Sequence, residues 1–215
     1  MTQHNPSNGP VRAVVVDLGG VIIRIHRTWS SACQANGVEV REPVLPRFET
    51  PGVQQLVDQY QRSDMDLPTF AAALSGHVDG GYSAAEVEQV HRGWMVGAYD
   101  HAEATIRALQ AAGHFVGALS NTCAAHWVTM ADFGAIRALD HRIGSHEIGH
   151  CKPDLRAFAA AESILPDRPG RVVYFDDLPA NVAAAAEHGW EAHHVDHAGD
   201  PPATIRRVMG VSLGD

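Results

Sequence analysis

Acidic residues directly follow two apolar segments of the chain. Asp17 ends the segment VRAVVVD, and Asp176 and Asp177 end the segment RVVYFDD. A charged carboxylate beside a buried strand is costly, so these residues must face a solvated crevice or a cation. Mutual repulsion adds to the cost of the adjacent pair. Bringing all three carboxylates together is expected to require a divalent cation. Oxygen ligands without a neighbouring Cys or His favour Mg²⁺.

A lysine and a hydroxyl group complete a possible reaction site. Lys152 precedes Pro153, and Ser120 and Asn121 end the apolar stretch HFVGALSN. A nucleophilic carboxylate at Asp17, a metal ion, a lysine and a hydroxyl donor together suit phosphoryl transfer through an aspartyl phosphate. Each of these residues also has an alternative structural role, such as capping a turn or ending a strand.

Alternating strand and helix patterns must position these residues. Runs of β-branched residues without polar alternation are typical of parallel strands buried on both faces. The predicted strands cover 11–17, 114–121, 141–145, 171–177 and 190–196. The intervening helices imply right-handed crossovers and a doubly wound α/β sheet, which binds ligands outside the carboxyl ends of its strands. Asp17, Ser120 and Asp176 are therefore expected to meet in one crevice.

Two of the predicted helices that flank this sheet begin at residues typical of a helix N-terminus. Asp100 is a candidate N-cap for a helix that stops at Gly113. Pro179 can open a helix that closes at Gly189. The first would lead into strand 114–121, and the second would join the last two strands.

The long connection after the first strand carries no strand pattern. Its helix-compatible segments are 28–37, 53–62, 67–77 and 83–98. A connection of this length is too long for one helix, so we expect a small helical subdomain above the crevice. The predicted division is a flexible tail at 1–10, a core at 11–25 and 99–215, and a helical cap at 26–98.

Composition excludes several classes of partner. The net charge of −9 argues against nucleic acid or an anionic membrane, because both require a basic surface. No apolar run approaches the roughly 18 residues of a membrane span, and the first residues lack the pattern of a secretion signal. Cys33, Cys123 and Cys151 form no CxxC pair, which fits a reducing compartment. A soluble, cytoplasmic protein is expected.

Four segments in order resemble the motifs of the haloacid dehalogenase-like (HAD) hydrolase superfamily. They read VVVDLGGVII, LSNT, GHCKPD and VYFDDLPANVAAA, and the resemblance runs from residue 11 to residue 196. The first two are most similar to the branch of glucose-1-phosphate phosphatases and the N-terminal phosphatase domain of soluble epoxide hydrolases. The resemblance implies a Rossmann-like core with a helical cap. It also implies a Mg²⁺-dependent phosphatase acting on a small phosphorylated metabolite, with sugar phosphates as the first class to test.

The resemblance implies a catalytic role for several residues of the sequence. Asp17 matches the nucleophile that forms the aspartyl phosphate. Ser120 matches the hydroxyl group that binds the phosphoryl group, and Asn121 beside it offers backbone or amide donors. Lys152 matches the cation that offsets charge on Asp17 and on the phosphate.

The same resemblance implies a metal site and its ligands. Asp17 and the backbone carbonyl of Gly19 would reach Mg²⁺, and Gly19 would also lie against the phosphate. Asp177 matches a direct ligand, whereas Asp176 would bind directly or through water. Asn181, one helical turn further on, would orient the acidic pair.

Gly19 is a departure from the pattern of the family's phosphatases. Those enzymes usually carry an Asp there, which acts as general acid and base. Such catalysis is worth about 10²–10⁴-fold in rate. Its loss would give a slow phosphatase, a long-lived phosphoenzyme or an inactive relative, unless His26, a cap residue or a water replaces it.

Other functions remain to be compared with the phosphatase. A 2-haloacid dehalogenase would use the carboxylate nucleophile without metal, although two further carboxylates would repel an acidic substrate. A catalytically inactive binding protein would keep the crevice for recognition, which Gly19 favours. Cys123 is expected to be a packed residue without a histidine to activate it, and His126 to be within possible reach of a substrate.

Overall fold

The computed structural model describes residues 10–213, so the predicted tail lies outside the described residues except for Pro10. The strands are β1 (Val11–Val16), β2 (Ile23–Ile25), β3 (Met95–Ala98), β4 (Phe115–Ser120), β5 (His141–Gly144), β6 (Arg171–Asp176) and β7 (Glu191–His194). Five of them form one parallel sheet in the order β5-β4-β1-β6-β7. The predicted doubly wound α/β fold is confirmed.

Strand β1 lies at the centre of this sheet because its side chains are apolar on both faces. Val14 pairs with Val116 of β4 on one side and with Val173 of β6 on the other. Val14 and Val16 belong to one apolar cluster, while Ala13 and Val15 belong to another on the opposite face. Burying one such valine stabilises the fold by about 1.5–3 kcal/mol, so the sheet anchors the residues at its strand ends.

Helices cover both faces of the sheet. They are α5 (Ala102–Ala111), α6 (Ala124–Met130), α7 (Gly134–Ala138), α8 (Ser145–Ile148), α9 (Leu155–Glu162), α10 (Pro179–Glu187) and α11 (Pro201–Met209). Pro179 opens α10 as predicted. The predicted N-cap at Asp100 is wrong: His101 occupies the cap position with φ of 63°, and Asp100 contacts Arg24 instead. None of the helices within residues 10–213 has the length and apolar character needed to cross a membrane.

The connection after β1 contains four α-helices, a short 3₁₀ helix (Leu45–Glu49) and one strand pair. The helices are α1 (Trp29–Ala35), α2 (Pro51–Gln61), α3 (Leu67–His77) and α4 (Ala84–Arg92). Predicting helix throughout 83–98 is wrong, because α4 ends at Arg92 and the chain then forms β3. Strand β3 pairs antiparallel with β2, and this pair was absent from the predicted elements. Both strands are short and pair only with each other, which leaves little periodic signal in the sequence.

These four helices enclose an apolar core of their own. Trp29 stacks on Phe48 with ring centroids 4.2 Å apart, and Tyr60 stacks on Phe70 at 4.5 Å. Tyr82 is fully buried among them. The aromatic residues between the first two strands of the large sheet therefore pack mainly on one another.

Candidate active site

Three carboxylates meet at the carboxyl end of the parallel sheet. Asp17 directly follows β1, Asp176 ends β6, and Asp177 comes next in the chain. The backbone N–H of Asp17 donates to the carbonyl of Phe175 at 2.8 Å, which ties the two strand ends together. One oxygen from each carboxylate lies within 4.8 Å of the other two, and all three residues are buried.

Lys152 is the only lysine of the sequence, and it is buried among these carboxylates. Its Nζ donates to Asp17 Oδ1 at 2.8 Å, to Asp176 Oδ2 at 2.7 Å and to the Tyr174 hydroxyl at 2.8 Å. An ammonium group has three N–H donors, so each of them has an acceptor. Burial lowers the pKa of Lys152, but Asp17 and Asp176 raise it by more, and the side chain stays charged.

Asp176 is occupied by donors from the protein itself. Its Oδ1 accepts from the backbone N–H of Leu178 at 2.8 Å and from Asn181 Nδ2 at 3.1 Å. Its Oδ2 accepts from Lys152 and from the hydroxyl of Tyr174. Burial raises the pKa of Asp176, but Lys152 and these hydrogen bonds outweigh burial and lower it overall. Asp176 therefore holds Lys152 in place, and Asn181 contacts Asp176 as the sequence led us to expect.

The pKa of Asp17 reflects a different balance between burial and neighbouring charges than the pKa of Asp176. Burial raises its pKa to about 6, with Lys152 opposing the rise and Asp176 adding to it. The carboxylate is therefore mostly ionised at neutral pH. Lys152 takes Oδ1 of Asp17, which leaves Oδ2 as the oxygen for a reaction. The Tyr174 hydroxyl has a pKa well above its ordinary value because of burial, so it remains a donor.

Asp177 Oδ2 is held by the cation of Arg27 rather than by a hydrogen bond. Arg27 Nη2 lies 2.8 Å from Oδ2 as an ion pair, while Oδ2 accepts no hydrogen bond of good geometry from the described residues. His197 Nδ1 lies 3.7 Å from the same oxygen. The ring of His194 donates to the backbone carbonyl of Asp177 at 3.0 Å.

Arg27 and Tyr174 are site residues that sequence reasoning missed. Tyr174 precedes Asp176 by two residues on a strand, and this spacing could have placed both on one face. Arg27 carries no local signal, because only the tertiary fold brings it to Asp177. Lys152 and Arg27 supply two positive charges to the three carboxylates, and the expected divalent cation stays a prediction. One negative charge remains in excess.

Two glycines after β1 shape the floor of the site. A Cβ at Gly19 would lie 3.2 Å from Ile25 Cδ1, so an apolar side chain lies where the expected acid would extend. Gly20 has φ of +88°, and a Cβ there would overlap Arg27 and lie 2.6 Å from Asp177 Oδ2. Glycine at position 20 therefore allows Arg27 and Asp177 to approach the loop.

Ser120 and Asn121 end β4 next to Asp17. Ser120 is buried and lines the same cavity as Asp17. The side chain of Asn121 is committed to Lys152: its Nδ2 donates to the carbonyl and its Oδ1 accepts from the backbone N–H, both at 2.8 Å. Asn121 thus fixes the loop that carries Lys152 through its amide oxygen and one of its two Nδ2–H donors.

A cavity of about 1230 Å³ extends from the carboxylates to the four helices of the connection. Asp17, Ser120, Lys152 and Asp177 line one end of it. Aromatic side chains of the connection line the other, namely Trp29, Phe48, Tyr60, Phe70 and Trp94. His26 is not among the lining residues and instead packs edge-on against Trp94. The expected substitute acid at His26 therefore does not face the cavity.

Cys123 also lines this cavity, and it has two histidine neighbours. His91 Nε2 lies 3.5 Å from Cys123 Sγ, and His126 lies in the same cluster. Burial raises the pKa of the Cys123 thiol, but the two histidines outweigh burial and bring the pKa to about 5. The expectation that Cys123 lacks a histidine to activate it is wrong, because His91 comes from a distant part of the sequence.

Comparison with known proteins places this chain in a family. The family model described as a haloacid dehalogenase-like hydrolase matches residues 11–189. The chain belongs to the haloacid dehalogenase-like hydrolase family. The aspartate after β1, the serine that ends β4, the lysine before α9 and the acidic pair at the end of β6 all lie within the matched residues of this HAD hydrolase.

Solved HAD structures share the fold of this chain at low sequence identity. A HAD family enzyme from Bacteroides thetaiotaomicron superposes with a TM-score of 0.73 at 19% identity, covering 88% of this chain and 96% of that one. The same enzyme, in complex with magnesium and inorganic phosphate, gives 0.70 at 18% identity over 89% and 97% of the chains. An L-2-haloacid dehalogenase from Xanthobacter autotrophicus gives 0.64 at 16% identity over 96% and 85%. These similarities establish the fold of the HAD hydrolase and leave its substrate open.

Proposed function

We propose that this HAD hydrolase is a Mg²⁺-dependent phosphatase that hydrolyses a small phosphorylated metabolite, with sugar phosphates as the first class to test. The observation that supports this most is the position of Asp17. Its Oδ1 is held by buried Lys152, and its carboxylate lies beside Asp177 at one end of the cavity. The net charge of −9 supports a small metabolite rather than nucleic acid as the partner, and the three free cysteines support a cytoplasmic location.

The proposed division of the chain follows from its two kinds of packing. The core would comprise residues 11–25 and 99–215, and the cap residues 26–98. The cap helices carry their own apolar cluster, which supports a separate subdomain over the cavity. A cap of this kind would exclude bulk water and large substrates such as phosphoproteins.

The reaction would begin with attack of Asp17 Oδ2 on the phosphorus atom. A bond forms between Oδ2 and phosphorus while the bond to the leaving oxygen breaks, which gives an aspartyl phosphate. Water then attacks phosphorus and the bond between phosphorus and Oδ2 breaks, which releases inorganic phosphate and restores the carboxylate. The proton that the water loses passes through solvent to the oxygen of the departed leaving group. Lys152 would offset the charge of Asp17 and of the phosphoryl oxygens, and the Ser120 hydroxyl would donate to one of those oxygens.

The residues of the site fit a magnesium ion. Three carboxylates face two cations, so one negative charge is left to balance, and Asp177 Oδ2 is buried without a hydrogen bond. Asp17, Asp177 and the Gly19 carbonyl would be the direct ligands, while Asp176 is engaged by protein donors and would act through Lys152 or water. When bound, Mg²⁺ would stabilise the negative charge that develops on the phosphoryl oxygens.

The missing acid at Gly19 determines which substrates would react quickly. An aryl phosphate has a leaving group that needs little protonation, whereas an alkyl phosphate depends on a proton donor. The decisive experiment is therefore hydrolysis of an aryl phosphate with and without Mg²⁺. Asp17→Asn is the test variant, and Asp167→Asn, an exposed aspartate, is the matched control. Metal-dependent turnover that only Asp17→Asn abolishes would support the proposal.

Turnover at the wild-type rate in Asp17→Asn would exclude Asp17 as the nucleophile. No turnover by folded protein that binds Mg²⁺ would point instead to a stalled phosphoenzyme or a binding protein. Mass spectrometry separates the two, because a stalled phosphoenzyme carries an added phosphoryl group on Asp17.

Dehalogenation of a 2-haloacid is the second candidate function. Gly19 favours it, because a halide ion leaves without needing a proton donor. The cationic pair of Lys152 and Arg27 reduces the repulsion that the carboxylates would exert on an acidic substrate. Halide release that persists in excess chelator would support the dehalogenase, whereas activity that requires Mg²⁺ would support the phosphatase.

A further inference from the structure

A second group of metal-binding side chains lies in the same cavity, away from the carboxylates. His91 comes from α4 of the cap, and Cys123 and His126 come from the segment after β4. One nitrogen or sulfur atom from each residue lies within 4.8 Å of the other two. The group therefore joins the cap to the core through three side chains that are not part of the proposed phosphatase chemistry.

The backbone places Cys123 and His126 on one side of α6. Cys123 occupies the N-cap position of this helix, and His126 follows three residues later, which is the spacing of neighbours on a helix face. Cys123 is 1% exposed. The imidazole of His91 lies parallel to that of His126, with ring centroids 4.2 Å apart. The cap helix thus brings His91 to a pair of side chains already held by the core.

The hydrogen bond of His126 leaves one ring nitrogen for a ligand. Its Nε2 lies 2.7 Å from the backbone carbonyl of His91 and must donate, because a carbonyl oxygen only accepts. In the neutral imidazole the other nitrogen, Nδ1, then carries a lone pair, so a metal ion binding there displaces any proton that Cys123 holds on the ring. Metal-binding histidines commonly donate their second nitrogen to a carbonyl or carboxylate, which fixes the ring.

The spacing between sulfur and nitrogen matches that of a tetrahedral metal site. His91 Nε2 and Cys123 Sγ are 3.5 Å apart. In a tetrahedral zinc site with Zn–S near 2.3 Å and Zn–N near 2.1 Å, the S–N edge is about 3.6 Å. The two atoms therefore need little movement to share one ion.

We propose that His91, Cys123 and His126 form a binding site for a divalent transition metal of the Zn²⁺ class, which links the cap to the core. Thiolate and imidazole ligands favour Zn²⁺ over Mg²⁺, so this site differs in selectivity from the three carboxylates. Three protein ligands leave a fourth position, and all three residues line the cavity, so a water or a substrate group can occupy it. An ion that needs ligands from both parts stabilises the arrangement in which they meet.

Optical titration with Co²⁺ tests this site directly. The metal-free protein is first saturated with Mg²⁺ to fill the carboxylate site, and Co²⁺ is then added. We expect a near-ultraviolet charge-transfer band from a thiolate–Co²⁺ bond that saturates at one equivalent and disappears when Zn²⁺ is added. The band should be absent in Cys123→Ser. In His91→Ala and in His126→Ala, the Co²⁺ affinity measured from the band should fall by a factor of about ten or more. Cys33→Ser and Cys151→Ser are the matched controls and should keep it.

Asp17→Asn separates this proposal from the proposed function. That variant should lose phosphatase activity and keep the Co²⁺ band. The phosphatase proposal and the metal-site proposal can therefore fail independently of each other. Absence of the band in wild-type protein, or its persistence in Cys123→Ser, would overturn the metal site. Such a result would leave the three residues as a thiolate–imidazolium cluster without a metal.

If Cys123→Ser fails to fold, alkylation of cysteines in the wild-type protein tests the metal site instead. Iodoacetamide labelling of the wild-type protein is followed by peptide mass analysis, with and without one equivalent of Zn²⁺. We expect Zn²⁺ to slow labelling of Cys123 at least tenfold and to leave labelling of Cys151 unchanged. Equal rates at Cys123 would overturn the proposal. Hydrogen exchange of α4 amides measures the link to the cap: Zn²⁺ should slow it in wild type but not in His91→Ala.

Discussion

Replacing Lys152 with methionine removes the charge around which the site is organised. Methionine is similar in length to lysine and carries no charge, so the substitution leaves no empty space of the kind that a shorter side chain would leave. Lys152 Nζ makes hydrogen bonds of 2.8, 2.7 and 2.8 Å, and its side chain is 1% exposed. In Lys152→Met, Asp17 and Asp176 face each other in a buried site without their shared cation.

The expected cost is large relative to the stability of a domain. Removing one partner of a buried ion pair costs about 3–5 kcal/mol, because the remaining charge is left uncompensated. The total free energy of unfolding is about 5–15 kcal/mol for a typical domain. We therefore expect metal-free Lys152→Met to lose about 3–5 kcal/mol at neutral pH, a large share of its stability.

The loss should depend on pH in a defined direction. Burial raises the pKa of Asp17 and of Asp176, and Lys152 opposes both shifts. Without Lys152, both folded-state pKa values rise above those of the unfolded chain. A carboxylate with a raised pKa binds its proton more tightly in the folded state, so stability falls as pH rises through that range. The deficit is therefore largest at neutral pH and becomes smaller as the solution is acidified.

Urea unfolding monitored by tryptophan fluorescence measures both effects. Wild type and Lys152→Met are compared without Mg²⁺ at neutral and acidic pH, and then at neutral pH with saturating Mg²⁺. Arg156→Met is the matched control, since it removes a cation that is exposed and pairs with Asp154. The control should change stability only slightly. A loss below about 1 kcal/mol in Lys152→Met, or a deficit that grows on acidification, would refute the assigned role of Lys152.

Three further perturbations follow from the same contacts. Asp17→Asn should raise the metal-free free energy of unfolding above pH 6, because burial raises the pKa of Asp17 from 3.8 to about 6. At about 1.36 kcal/mol per pKa unit the gain is up to about 3 kcal/mol, and it should vanish below about pH 4 in urea titrations. Gly20→Ala should abolish Mg²⁺-dependent turnover through overlap with Arg27, whereas Gly210→Ala, with φ of +66° and open space around its Cβ, should keep it. Equal activities would contradict this. Tyr174→Phe should lower the free energy of unfolding by about 1.5–3 kcal/mol, because its hydroxyl bonds to charged Lys152 and Asp176, and an unchanged denaturation midpoint would argue against those bonds.

The sequence alone predicts the central sheet and the strand ends where its polar residues lie. Unalternated apolar runs are enough to place β1, β4 and β6, because a strand buried on both faces needs that composition, whereas β5 and β7 carry the weaker patterns HRIGS and WEAHHVD. The order of the motifs also identifies the family, which the match over residues 11–189 confirms. The assignment of Asp17, Ser120, Lys152 and Asp177 to catalysis stays a prediction that the proposed experiments test.

Short elements and caps were predicted less well. Strands β2 and β3 pair only with each other, so neither has the periodic pattern of a long element. The start of α5 depends on the left-handed backbone at His101, while Asp100 turns to Arg24. Local propensity favours aspartate as a cap, but a contact with a residue distant in sequence overrides it.

The tertiary structure decides which side chains of the site meet. Arg27 pairs with Asp177, Asn121 turns its amide to the Lys152 backbone, and Tyr174 joins Lys152 to Asp176. His91 reaches Cys123 across the boundary between cap and core. Apart from Tyr174 and Asp176, which are two residues apart on β6, these contacts join segments whose separation in the sequence carries no periodicity. The sequence pattern determines which residues are buried and where strands end, whereas long-range packing determines which buried charges and ligands become neighbours.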